Sequence, residues 1–219
     1  MGAPFIPVAE VTAGPLGLAG FLAVPEDATG IVIFAHGSGS GRHSPRNGYV
    51  ASGLRSARLA TLLVDLLRAD EELDRRNVFD IELLAERLLS ATDWAAADPR
   101  TAHLVPGYFG ASTGAGAALK AAAIPGSRVG AVVSRGGRPD LALGDLPNVR
   151  APTLLLVGSL DGPVIDLNRR AFAALRTEKK LVIVEGAGHL FEEPGTLDEV
   201  VINARDWFAV HLRLTKEAR

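Results

Sequence analysis

Three residues whose side chains cooperate in acyl transfer stand at comparable places in this chain. Ser112 sits in Gly110-Ala111-Ser112-Thr113-Gly114, a G-x-S-x-G pattern, Asp161 in Gly158-Ser159-Leu160-Asp161, and His189 in Gly186-Ala187-Gly188-His189. A serine hydroxyl is a weak nucleophile at neutral pH because it holds its proton too tightly, so a neutral imidazole must take that proton as the oxygen attacks. The imidazole needs a carboxylate to keep its second nitrogen a donor and to balance the imidazolium that forms. Ser112, His189 and Asp161 therefore read as nucleophile, general base and orienting carboxylate. Asp166 is a rival carboxylate, ranked lower because it follows Pro163, where a helix should begin, whereas Asp161 comes at once after a strand.

An attacked carbonyl becomes an oxyanion, which two backbone N–H groups can stabilise. Thr113 supplies one by position, directly after Ser112 at a helix start. The other should come from His36-Gly37-Ser38-Gly39, with the Ser38 amide favoured and Gly37 or Gly39 as alternatives. Arg42 and Arg46 lie in the loop that continues from there, and Arg135 and Arg138 lie in Ser134-Arg135-Gly136-Gly137-Arg138-Pro139. A guanidinium fork fits a substrate carboxylate or phosphate, so Gly37, Gly39, Arg42, Arg135 and Arg138 are candidate substrate contacts. The plainer reading of the arginines is that they hold loops together through carbonyls and acidic side chains.

Each of the three central residues also has an ordinary reading. Ser112 and Asp161 could cap helices or sit in turns, and His189 could simply be exposed. What favours chemistry is that each follows a different apolar run, in the order Ser, Asp, His. Those runs are the elements that must position them. Residues 31–35, 60–65, 103–105, 129–133, 152–157 and 180–184 read as strands, preceded by two antiparallel edge strands within residues 8–24. Helical spacing appears in Val50, Leu54, Ala57; in Ile81, Leu84, Leu88, Ala91; in Leu167, Ala171, Leu175; and in Leu197, Val201, Ala204, Phe208. Residues 68–76 read as a charged excursion. Strands alternating with helices imply an α/β fold, a mostly parallel central sheet with helices on both faces, and such sheets place their sites at the carboxyl ends of the strands.

Composition narrows the classes. The chain has 219 residues, 47% of them apolar, no cysteine and a net charge of −2. One domain spanning residues 1–219 is expected. The charge balance gives no footprint for nucleic acid, and the lack of cysteine removes disulfides and thiolate chemistry. No histidine approaches metal-ligand spacing, and neither metal nor cofactor is expected. No apolar run reaches the roughly 18 residues of a membrane span and residues 1–15 lack a secretory layout, so a cytoplasmic protein without membrane partners is expected. Oligomeric state is left open.

With Gly110 to Gly114, Asp161, His189 and the His36-Gly37 loop as its carriers, the chain resembles the dienelactone hydrolase-like group of the α/β-hydrolase superfamily over essentially its whole length. The resemblance implies an α/β-hydrolase fold and serine hydrolase chemistry on a small-molecule ester through an acyl-enzyme. Thioester, lactone or amide cleavage would use the same machinery. Dienelactone hydrolases as a family carry cysteine where this chain has Ser112, which sets that particular lactone aside. Some uncharacterised hydrolases of the group are fused to phosphoribosyltransferase domains, of which the sequence carries no sign. Many superfamily members insert a helical cap after the sixth strand; only about twenty residues separate Val133 from Pro152, so no substantial cap and an open site are expected.

Two readings from other classes compete. The glycines of Gly37-Ser38-Gly39-Ser40-Gly41 follow a strand and could cradle a nucleotide, but the spacing is G-x-G-x-G and no Gly-Lys-Ser/Thr follows. A hydrolase fold serving only as a binding protein is the other, since fold alone does not assign function.

Overall fold

The computed structural model describes residues 6–213. A hairpin of β1 (Ala9–Ala13) and β2 (Leu18–Ala23) opens the chain. There follow β3 (Gly30–Ala35), α1 (Pro45–Ser56), β4 (Leu59–Val64), α2 (Arg75–Phe79), α3 (Ile81–Ala97), β5 (Pro106–Ala111), α4 (Thr113–Ala122) and β6 (Ala131–Arg135). Two short 3-10 turns, Pro139–Ala142 and Leu146–Asn148, lead to β7 (Thr153–Gly158), α5 (Gly162–Ala174), β8 (Lys179–Val184) and α6 (Thr196–His211). These turns are all that stands between β6 and β7, so among the described residues no cap domain is inserted there.

The eight strands form one sheet in the order β1-β2-β4-β3-β5-β6-β7-β8. Pairing is parallel from β4 across to β8 and antiparallel only where β2 meets β4 and β1 meets β2. The chain runs outward from β3 to β4 and then returns past β3 to β5, so the order reverses between β3 and β5. That switch point is where a crevice opens above the carboxyl ends of an open parallel sheet.

The continuous apolar runs of β3, β4 and β7 are buried from end to end because helices cover both faces. Alternate residues serve opposite layers. Ile31 and Ile33 pack with Leu88, Leu119 and Ala171 under α3, α4 and α5. Val32 and Phe34 pack with Leu54, Val200 and Phe208 under α1 and α6. The small residues of α4, buried from Thr113 through Leu119, let that helix lie against the sheet directly behind the turn at Ser112.

Four details differ from the sequence reading. The strand before Ser112 is Pro106–Ala111, not 103–105, which mostly forms a turn. Gly107 in that strand has no side chain because Phe208 Cε1 and Leu212 Cδ1 fill the space, each 2.9 Å from where a Cβ would stand. β2 is interior rather than an edge, since β4 pairs with its other side. On α6 it is Val200, not Val201, that is fully buried. Finally, β6 begins at Ala131 and runs on through Ser134 and Arg135, residues the sequence assigned to a loop.

Phe208 is the largest side chain on the α6 seam and has no exposure. Phe208→Ala should lower the unfolding free energy in urea by about 3–5 kcal/mol, through lost burial plus the cavity left behind. Ile202→Ala, on the exposed side of the same helix, should change it by no more than about 0.5 kcal/mol.

Candidate active site

Ser112 occupies the turn between β5 and α4 with φ 50 and ψ −122, a backbone conformation that a non-glycine residue rarely holds. It stands at the N-cap of α4, yet its side chain makes no capping hydrogen bond. The surrounding backbone explains how the conformation is enforced. A Cβ at Gly114 would collide with the carbonyl oxygens of Ala35 and His36, and one at Gly110 would lie 2.5 Å from Ala115 Cα. A Cβ at Gly37 would lie 2.8 Å from Ser112 Cβ. The end of β3 and its loop are therefore packed directly on the turn, backbone to backbone. Gly37 is buried there, whereas Ser38 and Gly39 are exposed and follow it into a turn closed by Ser40 N–H on the Gly37 carbonyl at 3.2 Å. Thr113 is buried in the first turn of α4, and its Oγ1 has no hydrogen-bond partner.

His36 holds this loop from below. Its Nδ1 donates to the Gly37 carbonyl at 3.1 Å and its Nε2 accepts from Leu66 N–H at 3.4 Å, which together define one neutral tautomer. On the other side of the crevice, Asp161 Oδ2 accepts a 2.7 Å hydrogen bond from His189 Nδ1. Asp161 is at the N-cap of α5 but makes no capping bond, so its carboxylate is directed to the imidazole instead. The His189 side chain is 40% exposed and that of Asp161 12%. Ser159 N–H on Val184 O, Leu160 N–H on Ala187 O and Gly186 N–H on Ser159 Oγ lace the loops after β7 and β8 together and fix the spacing of this pair. Asp166 lies one turn further along α5, exposed and paired with Arg169. The β6 loop closes the circle: Ser112 N–H donates to Arg135 O, Arg138 N–H donates to Ser112 O at 2.9 Å, and a Cβ on Gly136 would lie 2.9 Å from His189 O.

The comparisons agree with this geometry. The crystal structure of a dienelactone hydrolase from Anabaena variabilis superposes with a TM-score of 0.91 at 56% identity, covering 97% of this chain and all of that one. The chain belongs to the dienelactone hydrolase-like group of α/β-hydrolases. Est1E from Butyrivibrio proteoclasticus shares the fold at 14% identity with a TM-score of 0.78, covering 93% of this chain and 98% of that one. A Mycobacterium tuberculosis protein named "Putative phosphoribosyl transferase" is 61% identical over 203 residues, which is 93% of this chain and 46% of that protein. The chain thus spans about half the length of the curated relatives it matches. No family model matches it. No helix among the described residues is long and apolar enough to cross a membrane, and no group of three or more His, Cys, Asp or Glu among them could hold a metal ion.

On this α/β-hydrolase scaffold the four loop arginines separate. Arg42 donates from both its backbone N–H and its guanidinium to Asp65 and lies 5.4 Å over the Phe21 ring. Arg138 makes two 2.8 Å bonds to Asp140, which raise its pKa. Both guanidinium groups are committed to the protein itself, as the plainer reading expected. Arg46 gives one nitrogen to Glu192 at 2.6 Å. Arg135, only 7% exposed, has Nε and Nη1 without partners among the described residues. Burial lowers its pKa to about 10, and the neighbouring Arg46 charge adds to the fall.

Several organising residues carried no sequence signal. Asp65 is remote from Arg42 in the chain, and Asn168 on α5 donates to the Gly137 carbonyl at 3.1 Å from a position that reads as helix surface. Glu193 accepts the Gly188 N–H, which lowers its pKa and steadies the turn before His189. A cavity of about 100 Å³ borders the turn, lined by Gly37, Ser38, Thr113, Leu67, Val78 and Leu84. A larger cleft of about 860 Å³ opens near Ile124, Arg150 and Arg176, remote from the carboxyl ends of the strands. Neither is lined by Ser112, Asp161 or His189, but the smaller one borders the Ser112 turn through Thr113 and the Gly37-Ser38 loop.

Gly114→Ala should lower stability by about 3 kcal/mol or leave the chain insoluble, because the added methyl meets backbone that cannot yield. Gly144→Ala, which adds a methyl in open space, should shift the urea midpoint negligibly.

Proposed function

We propose that the chain is a serine hydrolase that cleaves carboxylic esters through an acyl-enzyme on Ser112. The observation that carries this reading is the pairing of His189 with Asp161 across two strand-end loops, on the same crevice as a serine held at positive φ. Caps and exposed turns account for neither feature. In this mechanism His189 Nε2 takes the Ser112 proton as Oγ attacks the ester carbonyl, while Asp161 keeps Nδ1 protonated and offsets the imidazolium charge. The N–H groups of Thr113 and Ser38 receive the developing oxyanion, each contributing a few kcal/mol to the lowered barrier. His189 then protonates the departing alcohol. It next activates the water that releases the acid, so the cycle closes on the starting enzyme.

The 100 Å³ cavity beside Thr113 suits the acyl group. Its size is well below the roughly 300 Å³ at which drug-sized ligand pockets begin, so it fits a chain of a few carbons. The structures called dienelactone hydrolase and Est1E lend the same direction, the first by high identity and the second by fold alone. The alcohol half is selected elsewhere on the crevice.

A fluorophosphonate probe should label the wild-type chain and fail to label Ser112→Ala or His189→Ala. Asp161→Asn should keep the fold and lower kcat about 10³–10⁴-fold, by leaving the imidazole in the wrong tautomer. Labelling that persisted in Ser112→Ala would overturn the assignment. Among p-nitrophenyl esters, kcat/KM should fall at least about tenfold between butyrate and octanoate, and Leu84→Ala should shift the optimum to longer acyl chains.

A further inference from the structure

The buried end of β6 carries a charge that the described residues do not answer. Arg135 follows Val133 on the same face of the strand, the face that packs with Val50, Ala51 and Leu54 of α1. Arg46 belongs to the first turn of the same helix, and its charge adds to the fall in the Arg135 pKa. That turn has no acidic residue, and the positive end of the helix dipole adds to the field. Arg46 Nε, Arg135 Nε and Arg135 Nη1 are all buried without partners. Two guanidinium groups at a helix N-terminus with three unanswered donors repel one another unless an anion joins them. Of the two acids that border Arg46, Glu192 bonds it from the exposed side, with its own side chain 61% exposed, while Glu193 accepts the Gly188 N–H.

The position of this pair matters for the chemistry. The backbone of Arg135 and Gly136 touches both Ser112 and His189. The two sides of the Ser112 turn thus differ: a small cavity with Leu67, Val78 and Leu84, and Glu72 beside them, lies on the side of α2 and α3, and Arg135 and Arg46 stand on the side of α1. An ester bound at Ser112 places its acyl group against one wall and its alcohol against the other.

We propose that Arg135 and Arg46, with the N-terminus of α1, form an oxyanion subsite that holds a carboxylate or phosphoryl group on the alcohol half of the substrate. Planar guanidinium groups match both anions, and the anion displaces Glu192 from Arg46 and completes the three buried donors. The subsite rests on the ester hydrolase reading for its place in catalysis but not for its ability to bind an anion.

The test uses two acetate esters that differ only in charge on the leaving group, 4-acetoxybenzoate and its methyl ester, together with calorimetric titration of the Ser112→Ala chain with inorganic phosphate and 4-hydroxybenzoate at low ionic strength. The wild type should favour the acid ester in kcat/KM, and Arg46→Gln should lower the ratio of acid to methyl ester about tenfold, the loss of one charge-assisted hydrogen bond. Arg135→Met should lower it at least as far. The Arg46 side chain is 32% exposed, so its variant decides the question if Arg135→Met does not fold. Both substitutions in the Ser112→Ala background should weaken binding of 4-hydroxybenzoate about tenfold. Absence of binding, binding unchanged by Arg46→Gln, or binding of free phosphate with an unaltered ester ratio would each overturn the subsite. If the wild type cleaves neither ester, the hydrolase reading fails, and the titrations alone decide whether the arginine pair takes an anion.

Discussion

Everything at the strand ends depends on how closely the backbone leaving β3 lies on the turn between β5 and α4. Ala35 pairs with Gly110 in the sheet, and the contact continues beyond it as Gly37 against Ser112 and Gly114 against the Ala35 and His36 carbonyls. No side chain can intervene. Strain at Ser112, of order 1–3 kcal/mol for such a conformation, persists because the two backbones over-determine it. The same contact sets the depth of the crevice and brings the amides after Gly37 beside the serine. This is a consequence of topology, because β3 and β5 are neighbours only where the strand order reverses.

The second constraint is the lacing of the loops after β7 and β8. Asp161 and His189 are widely separated in the chain, and their hydrogen bond would mean little if either loop moved freely. Backbone bonds from Ser159 and Leu160 into the neighbouring loop make the two behave as one body. Glu193 holds the turn at Gly188 from behind, and Gly136 leaves no room for a side chain against His189. The imidazole therefore stands on a rigid frame although its own surface is partly open to solvent. With no cap inserted between β6 and β7, the proposed base would meet a substrate that enters without displacing a lid.

Much of this was legible in the sequence, and the reasons are physical. Continuous apolar runs mark strands covered on both faces, and a strand covered on both faces belongs to a parallel α/β sheet. The residues at the ends of such runs are then neighbours in space whatever their distance along the chain. That logic set Ser112, Asp161, His189 and the His36-Gly37 loop at strand ends, and they stand there in the structure. It could not separate Ser112 and Asp161 from ordinary N-cap residues, because both do occupy N-cap positions; only the direction of each side chain distinguishes them. Nor could it see Asn168 or Glu193, since their tasks are contacts to loop backbone, and such contacts impose no periodicity.

The arginines show most clearly where pattern gives way to geometry. Arg138 and Asp140 are two residues apart, so their pairing was open to a local reading, whereas Asp65 reaches Arg42 only because β4 lies beside β3. Arg135 turns on a still finer point. Were the strand to stop at Val133, as the apolar run suggests, Arg135 would belong to a solvated loop and its charge would be unremarkable. Pairing of Ala111 with Arg135 on one side and of Leu156 with Arg135 on the other carries β6 two residues further. Strand alternation then turns the side chain under α1, away from water and toward a second arginine. Two extra ladder positions thus change a surface cation into a buried one whose Nε and Nη1 have no partner among the described residues, which is what the proposed anion subsite would answer.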